Sequence, residues 1–163
     1  MVNLQRTSSL KQRGMLNLTD EQYARFHRAL SFTIPHEGGY VNDSEDAGGE
    51  TKWGISKRYH PDEDIVNLTP ERAAEIYWND YWLPAGCEDL PLPTSTIVFD
   101  TAVLCGVGRT CNWVRECQGD MNCLLDKRKA SHLQSVKNFP VRSKFLKGWV
   151  IRIYDLQHLL ETT

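Results

Sequence analysis

The strongest constraint on how this chain can fold is the stretch from Glu37 to Ile55. There Glu37-Gly38-Gly39-Tyr40 is followed by Asp46-Ala47-Gly48-Gly49-Glu50-Thr51-Lys52-Trp53-Gly54-Ile55. Five glycines in so short a span demand sharp turns, because glycine reaches backbone conformations closed to other residues and lets a ligand approach the main chain. Turns and a short hairpin are expected from Gly38 to Gly54, with the Gly-Gly pairs at the bends.

The rest of the chain reads as helices. Thr19-Asp20-Glu21-Gln22 has the form of a capping box, and Tyr23, Phe26 and Leu30 follow at helical spacing. This predicts a helix from about Asp20 to Ser31, which Pro35 disturbs or ends. Glu37 then falls at or just past the helix C-terminus, where the dipole disfavours negative charge, the direction a general acid requires. Ile55 to Tyr59 is expected to form one helical turn stopped by Pro61, and Asp62-Glu63-Asp64 a solvated loop. Thr69-Pro70-Glu71 starts a helix that should run to about Trp82, where Tyr77 and Tyr81, and likewise Trp78 and Trp82, would align, one pair in the core. After Leu90-Pro91-Leu92-Pro93, Thr94 or Ser95 can cap a helix ending near Gly106. Further helices are expected over Arg109 to Cys117, Cys123 to Val136 and Ser143 to Leu160, the last amphipathic through Phe145, Trp149, Ile153, Leu156 and Leu160. The fold class is therefore mainly α, with a small β-hairpin or loop element.

Composition narrows the function. With 163 residues, 40% hydrophobic and 25% charged, the chain suits a soluble globular protein, and no apolar run nears the roughly 20 residues of a membrane-spanning helix. The residues after Met1 lack the apolar core of a secretion signal, so synthesis and initial residence in a host cytoplasm are expected. A basic stretch from Lys127 to Arg152 is read as the solvated face of helices rather than a nucleic-acid surface. The histidines form no ligand cluster, so neither a metal nor another cofactor is expected. Cys87, Cys105, Cys111, Cys117 and Cys123 match no zinc or redox spacing and are read as reduced, small core residues.

An acid at a helix end, a second carboxylate and a hydroxyl are the parts of a glycosidase. Glu37 suits the general acid. Asp46 suits the base or electrostatic partner of an oxocarbenium-like transition state, with Asp43 as its rival, and Thr51 could hold the attacking water. Trp53 and Tyr40 offer rings to a sugar, and Gly49 a close backbone approach.

His36-Glu37-Gly38-Gly39-Tyr40, Asp46-Ala47-Gly48-Gly49-Glu50-Thr51 and Gly54-Ile55 together resemble the signature of the glycoside hydrolase family 108 muramidases, which include phage endolysins of the lysozyme superfamily. The resemblance continues through Ala73-Ala74-Glu75-Ile76-Tyr77, Asp80-Tyr81-Trp82 and Phe99-Asp100-Thr101-Ala102-Val103, and resumes at Phe145-Leu146-Lys147-Gly148-Trp149 and Arg152. It implies a lysozyme-like fold and cleavage of the β-1,4 bond between N-acetylmuramic acid and N-acetylglucosamine, with Glu37 as catalytic acid. By analogy with phage lysozymes it also implies Arg152 or Arg142 as a charge partner of that acid. The chain departs from the family at Val103-Leu104-Cys105-Gly106 and at Gln118-Gly119-Asp120-Met121. The implied organisation is an N-terminal extension (1–18), a catalytic lobe (19–90) and a helical, peptidoglycan-binding-like lobe (91–163). The implied protein is a monomer whose partner is bacterial peptidoglycan, with no nucleic acid and no membrane insertion. It would act at the periplasm or cell wall after release through a membrane hole or from a virion. The rival readings are a lytic transglycosylase, which would leave anhydro ends, and a non-catalytic wall-binding protein on a degenerate muramidase fold.

Overall fold

In a computed structural model the structure describes residues 19–37, 41–42 and 50–162. Two compact units part between Asp80 and Tyr81, and the Pro-rich segment 90–93 lies inside the second.

The first unit opens with helix α1 (Asp20–Glu37). Its capping box forms as expected: Gln22 N donates to Thr19 Oγ1 at 3.2 Å, and Thr19 N donates back to Gln22 Oε1 at 3.0 Å. Phe26, Ala29 and Thr33 make its buried stripe, and Phe26 meets Trp78 edge to face at 5.0 Å. The helix passes through Pro35 instead of ending near Ser31. Proline removes one donor in the final turn, where only a few hydrogen bonds remain to be lost. Glu37 is thereby carried on the helix as its last residue.

Three short antiparallel strands follow in the order β1 (Val41–Asn42), β2 (Glu50–Lys52), β3 (Ile55–Ser56). Val41 pairs with Thr51, and Lys52 pairs with Ile55. Between β2 and β3, Trp53 (φ 50°) and Gly54 (φ 77°) form a two-residue turn with both dihedrals positive, the form whose twist matches that of paired strands. Ile55 to Tyr59 is therefore not the expected helical turn: the tight reversal returns Ile55–Ser56 to pair with β2, and Lys57 N extends the pairing to Glu50 O at 2.9 Å. Glu63 is also no merely solvated loop residue, since Arg72 grips it while donating to Glu75 at 2.8 Å. That side-chain hydrogen bond holds the Glu63 carboxyl below its ordinary value.

Helix α2 (Pro70–Tyr77) starts where Thr69 Oγ1 accepts from Arg72 N at 3.2 Å. It buries Ala73, Ala74, Ile76 and Tyr77 in a core shared with Ile55, Ile65 and Leu68. The chain then widens into a π-helical turn (Trp78–Trp82). A π turn shifts the register of the faces, so Tyr77, Trp78 and Trp82 are all buried where a straight helix would bury one aligned pair.

The second unit is built on helix α3 (Thr94–Cys105), buried continuously from Ser95 to Ala102. Its N-cap is Pro93, with no side-chain cap bond, so neither Thr94 nor Ser95 caps it; Ser95 lies buried inside the first turn. Gly106 (φ 87°) ends α3 and leads directly into α4 (Val107–Glu116). Helix α5 (Met121–Asn138) starts two residues earlier than expected because Asp120 caps it, accepting from Asn122 N at 2.9 Å. A short 3-10 turn (Pro140–Arg142) precedes α6 (Ser143–Glu161), whose C-terminal half buries Ile153 and Leu156 while Phe145 stays 49% exposed.

Cys117 and Cys123 are joined in a disulfide, which corrects the reading of all five cysteines as reduced: the tight turn between α4 and α5 folds the two back on each other. Cys87 does pack as a small core residue, and burial pushes its thiol up to about 12.

At the centre of this unit the Asp100 carboxylate receives Arg152 Nη2 at 2.7 Å, Arg152 Nε at 3.0 Å and Arg128 Nη1 at 2.8 Å. Asp100 and Arg128 are wholly buried. Next to this cluster, burial and the positive charges of Arg128 and Arg152 push His132 down to about 4. A histidine ordinarily near 6.5 but held neutral in the fold favours the folded state above pH 6.5. That contribution is lost as pH falls from about 6.5 toward 4, where only the unfolded chain takes the proton. Stability measured by urea melts should therefore drop by about 2 kcal/mol between pH 7 and pH 4.5, and His132→Phe should flatten this window. An unchanged pH slope in the variant would refute the assignment to His132.

Candidate active site

Glu37 ends α1 half-buried, with Oε1 shielded from solvent. The hairpin turn leans directly on it. A Cβ placed on Gly54 would lie 3.0 Å from Glu37 Cβ, 3.1 Å from Glu37 Cγ and 2.5 Å from the Tyr77 hydroxyl oxygen. That hydroxyl donates to Trp53 O at 2.7 Å. The carboxylate is thus seated by three elements: the helix that carries it, the β2–β3 turn against its methylenes, and α2, which pins the turn through Tyr77.

Thr51 occupies the middle strand, two residues before the turn and half-exposed. Trp53 is half-buried, with Lys52 Nζ 4.9 Å from its ring centroid, a cation–π contact. The backbone at Trp53 sits in a left-handed conformation that bulky residues rarely adopt, which sets the indole at the hairpin tip. Tyr40, Asp43, Asp46 and Gly49 lie outside the described residues. Arg152 belongs to the second unit, where its fork engages Asp100. Among the described residues no three of His, Cys, Asp and Glu gather as metal ligands, and no helix is long and apolar enough to cross a membrane.

Two positioning residues escaped the sequence reading. Tyr77 looked like one more core aromatic, and Gly54 one more flexible glycine; the usable signal was the Trp-Gly pair between two short β-forming segments. Gly54→Ala is expected to lower stability by about 2 kcal/mol, because it adds a Cβ where φ is positive and the Tyr77 hydroxyl already fills the space. Tyr77→Phe clears that oxygen, so the double variant should lose less than the sum of the two single losses in denaturant melts. Strict additivity would show that the contact does not matter.

The solved structure titled "Structure of Brucella abortus SagA" is similar to this chain, with a TM-score of 0.63 at 26% identity, covering 83% of this chain and 93% of that one. No protein of curated function matches the chain. Residues 30–106, the segment holding Glu37, the hairpin and α2, match the model of the family described as Glycosyl hydrolase 108. The fold is mainly α with a small antiparallel sheet, as that family resemblance implied. The match over residues 30–106 and the likeness in fold make that segment similar to the glycosyl hydrolase 108 family and support a glycoside hydrolase reading of it.

Proposed function

We propose that this protein is a glycoside hydrolase that cleaves bacterial peptidoglycan at the β-1,4 bond between N-acetylmuramic acid and N-acetylglucosamine, acting as a lysozyme-type muramidase of the endolysin kind. The observation that carries the reading is the seat of Glu37: a carboxyl at a helix C-terminus, one oxygen shielded from solvent and its methylenes held by the Trp53–Gly54 turn. A carboxyl fixed in place in this way can be aimed at a glycosidic oxygen, as a positioned proton donor must be. In the proposed reaction Glu37 gives its proton to the departing glycosidic oxygen as the C–O bond breaks. Asp46, with Thr51, directs a water to the anomeric carbon and takes up its proton, while Trp53, Tyr40 and Gly49 line the sugar. The catalytic lobe is proposed to span residues 19–90, with the remaining helices as a second lobe, the protein working as a monomer at the cell wall.

Mass spectrometry of fragments released from purified peptidoglycan tests the reaction. Reducing muramic acid ends support hydrolysis. Anhydro ends would replace it with a lytic transglycosylase, and binding to the wall without any released fragment would favour a non-catalytic binder.

A further inference from the structure

The second unit holds a cavity of about 240 Å³ that takes no part in the proposed reaction. Arg109 from α4, Arg142 from the short 3-10 turn, Ser131 and His132 from α5, and Phe145 and Trp149 from α6 contribute to its lining. No carboxylate lines it. Both arginines are exposed and pre-set: Arg142 donates to Ser135 Oγ at 2.7 Å and stacks 4.5 Å from the Phe139 ring centroid, and Arg109 lies 5.9 Å from that of Trp113. Neither is paired with a carboxylate among the described residues.

His132 marks the inner wall. It is 7% exposed and stacks on Trp149 at 4.5 Å and 19°, yet its Nε2 is shielded from solvent and has no hydrogen-bond partner. A buried polar atom without a partner costs free energy unless something fills the role. The site thus offers two cations with no anion, an imidazole nitrogen without a partner in its inner wall, the Ser131 side chain, and aromatic rings.

We propose that this cavity is a binding site for a small carboxylate carrying an adjoining amide, the chemistry of an N-acylated amino acid. The carboxylate meets Arg109 and Arg142, which can each give paired N–H donors. The amide offers both a donor and an acceptor, so it satisfies His132 Nε2 in either tautomer, and the acyl group covers the Trp149 and Phe145 rings. Phosphate or sulfate would leave those rings uncovered. The site is independent of the glycosidase reading.

Calorimetric titration of the full chain at pH 7 with N-acetylglycine tests it against the neutral N-acetylglycinamide. Saturable binding of the acid is expected, with the amide weaker by about tenfold or more. Arg109→Gln and Arg142→Gln, both at exposed positions, should each weaken the acid about three- to tenfold. His132→Phe keeps the stack, removes the nitrogen and should weaken acid and amide alike, with melting temperature checked in parallel. Glu37→Gln should bind as the wild type does, which separates this site from the glycosidase one. N-acetyltriglycine binding as tightly as N-acetylglycine would identify a peptide chain end as the ligand source, and weaker binding a free small acid. Equal affinity for acid and amide, indifference to both arginine changes, or no saturable binding at 20 mM acid, roughly a hundredfold above a Kd of about 0.2 mM, would overturn the proposal.

Discussion

Glu37→Gln is expected to reduce glycan cleavage by about a thousandfold or more while leaving the fold intact. Removing a positioned general acid typically forfeits about 10²–10⁴ in rate, and glutamine preserves the size of the side chain while lacking a proton it can give up. The contacts of Glu37 Cβ and Cγ with the Gly54 turn are retained, so a stability loss of no more than about 1 kcal/mol is expected. The check is turbidity loss of purified peptidoglycan by wild type and variant, beside matched urea melts. A folded variant retaining a tenth of the wild-type rate would remove Glu37 from the role of acid.

The second large effect concerns stability. Asp100→Asn should destabilise the protein by about 3–5 kcal/mol, because breaking a buried ion pair by removing one partner leaves a charge uncompensated. Here the residue left behind includes Arg128, wholly buried, and the fork of Arg152. Burial alone would raise the Asp100 carboxyl, but the charges of Arg128 and Arg152 outweigh it and hold the group below the ordinary carboxylate value. The sign follows: a carboxyl depressed in the fold contributes stability above about pH 3.9, lost as pH falls through the folded value. This loss lies below the His132 window, so a pH series separates the two. A variant within about 1 kcal/mol of wild type would show that the cluster contributes little net stability.

Local chemistry was legible where one short segment carries the whole signal. Thr19 with Gln22, and Thr69 with Pro70, announce their helices because capping needs only neighbours three residues apart. Glu37 was legible as a helix-end carboxyl for the same reason. What escaped reading depends on distant partners or on uncommon backbone. Asp100 and its arginines lie 28 and 52 residues apart in sequence, and a helical pattern alone assigns such charges to solvent. Ile55–Ser56 looked like the start of a helical turn because the reversal before it puts tryptophan at positive φ, a conformation that residue does not advertise. Pro35 looked like a terminator, yet a final helical turn tolerates it. The expected partners of Glu37 at Asp46 and Tyr40 lie outside the described residues, and the chemistry of the loop rests on its sequence.

The disulfide between Cys117 and Cys123 spans a sequence separation of 6, and so small a ring removes little freedom from the unfolded chain, about 2 kcal/mol by loop-closure entropy. The same bend is held by Asp120, which caps α5, and by Gly119 at φ 81°. The cross-link is thus a redundant fastening on a corner already shaped by backbone chemistry. Its reduction is therefore expected to cost about 2 kcal/mol of stability while the Asp120 cap and the Gly119 bend keep the helical register of the second unit in place.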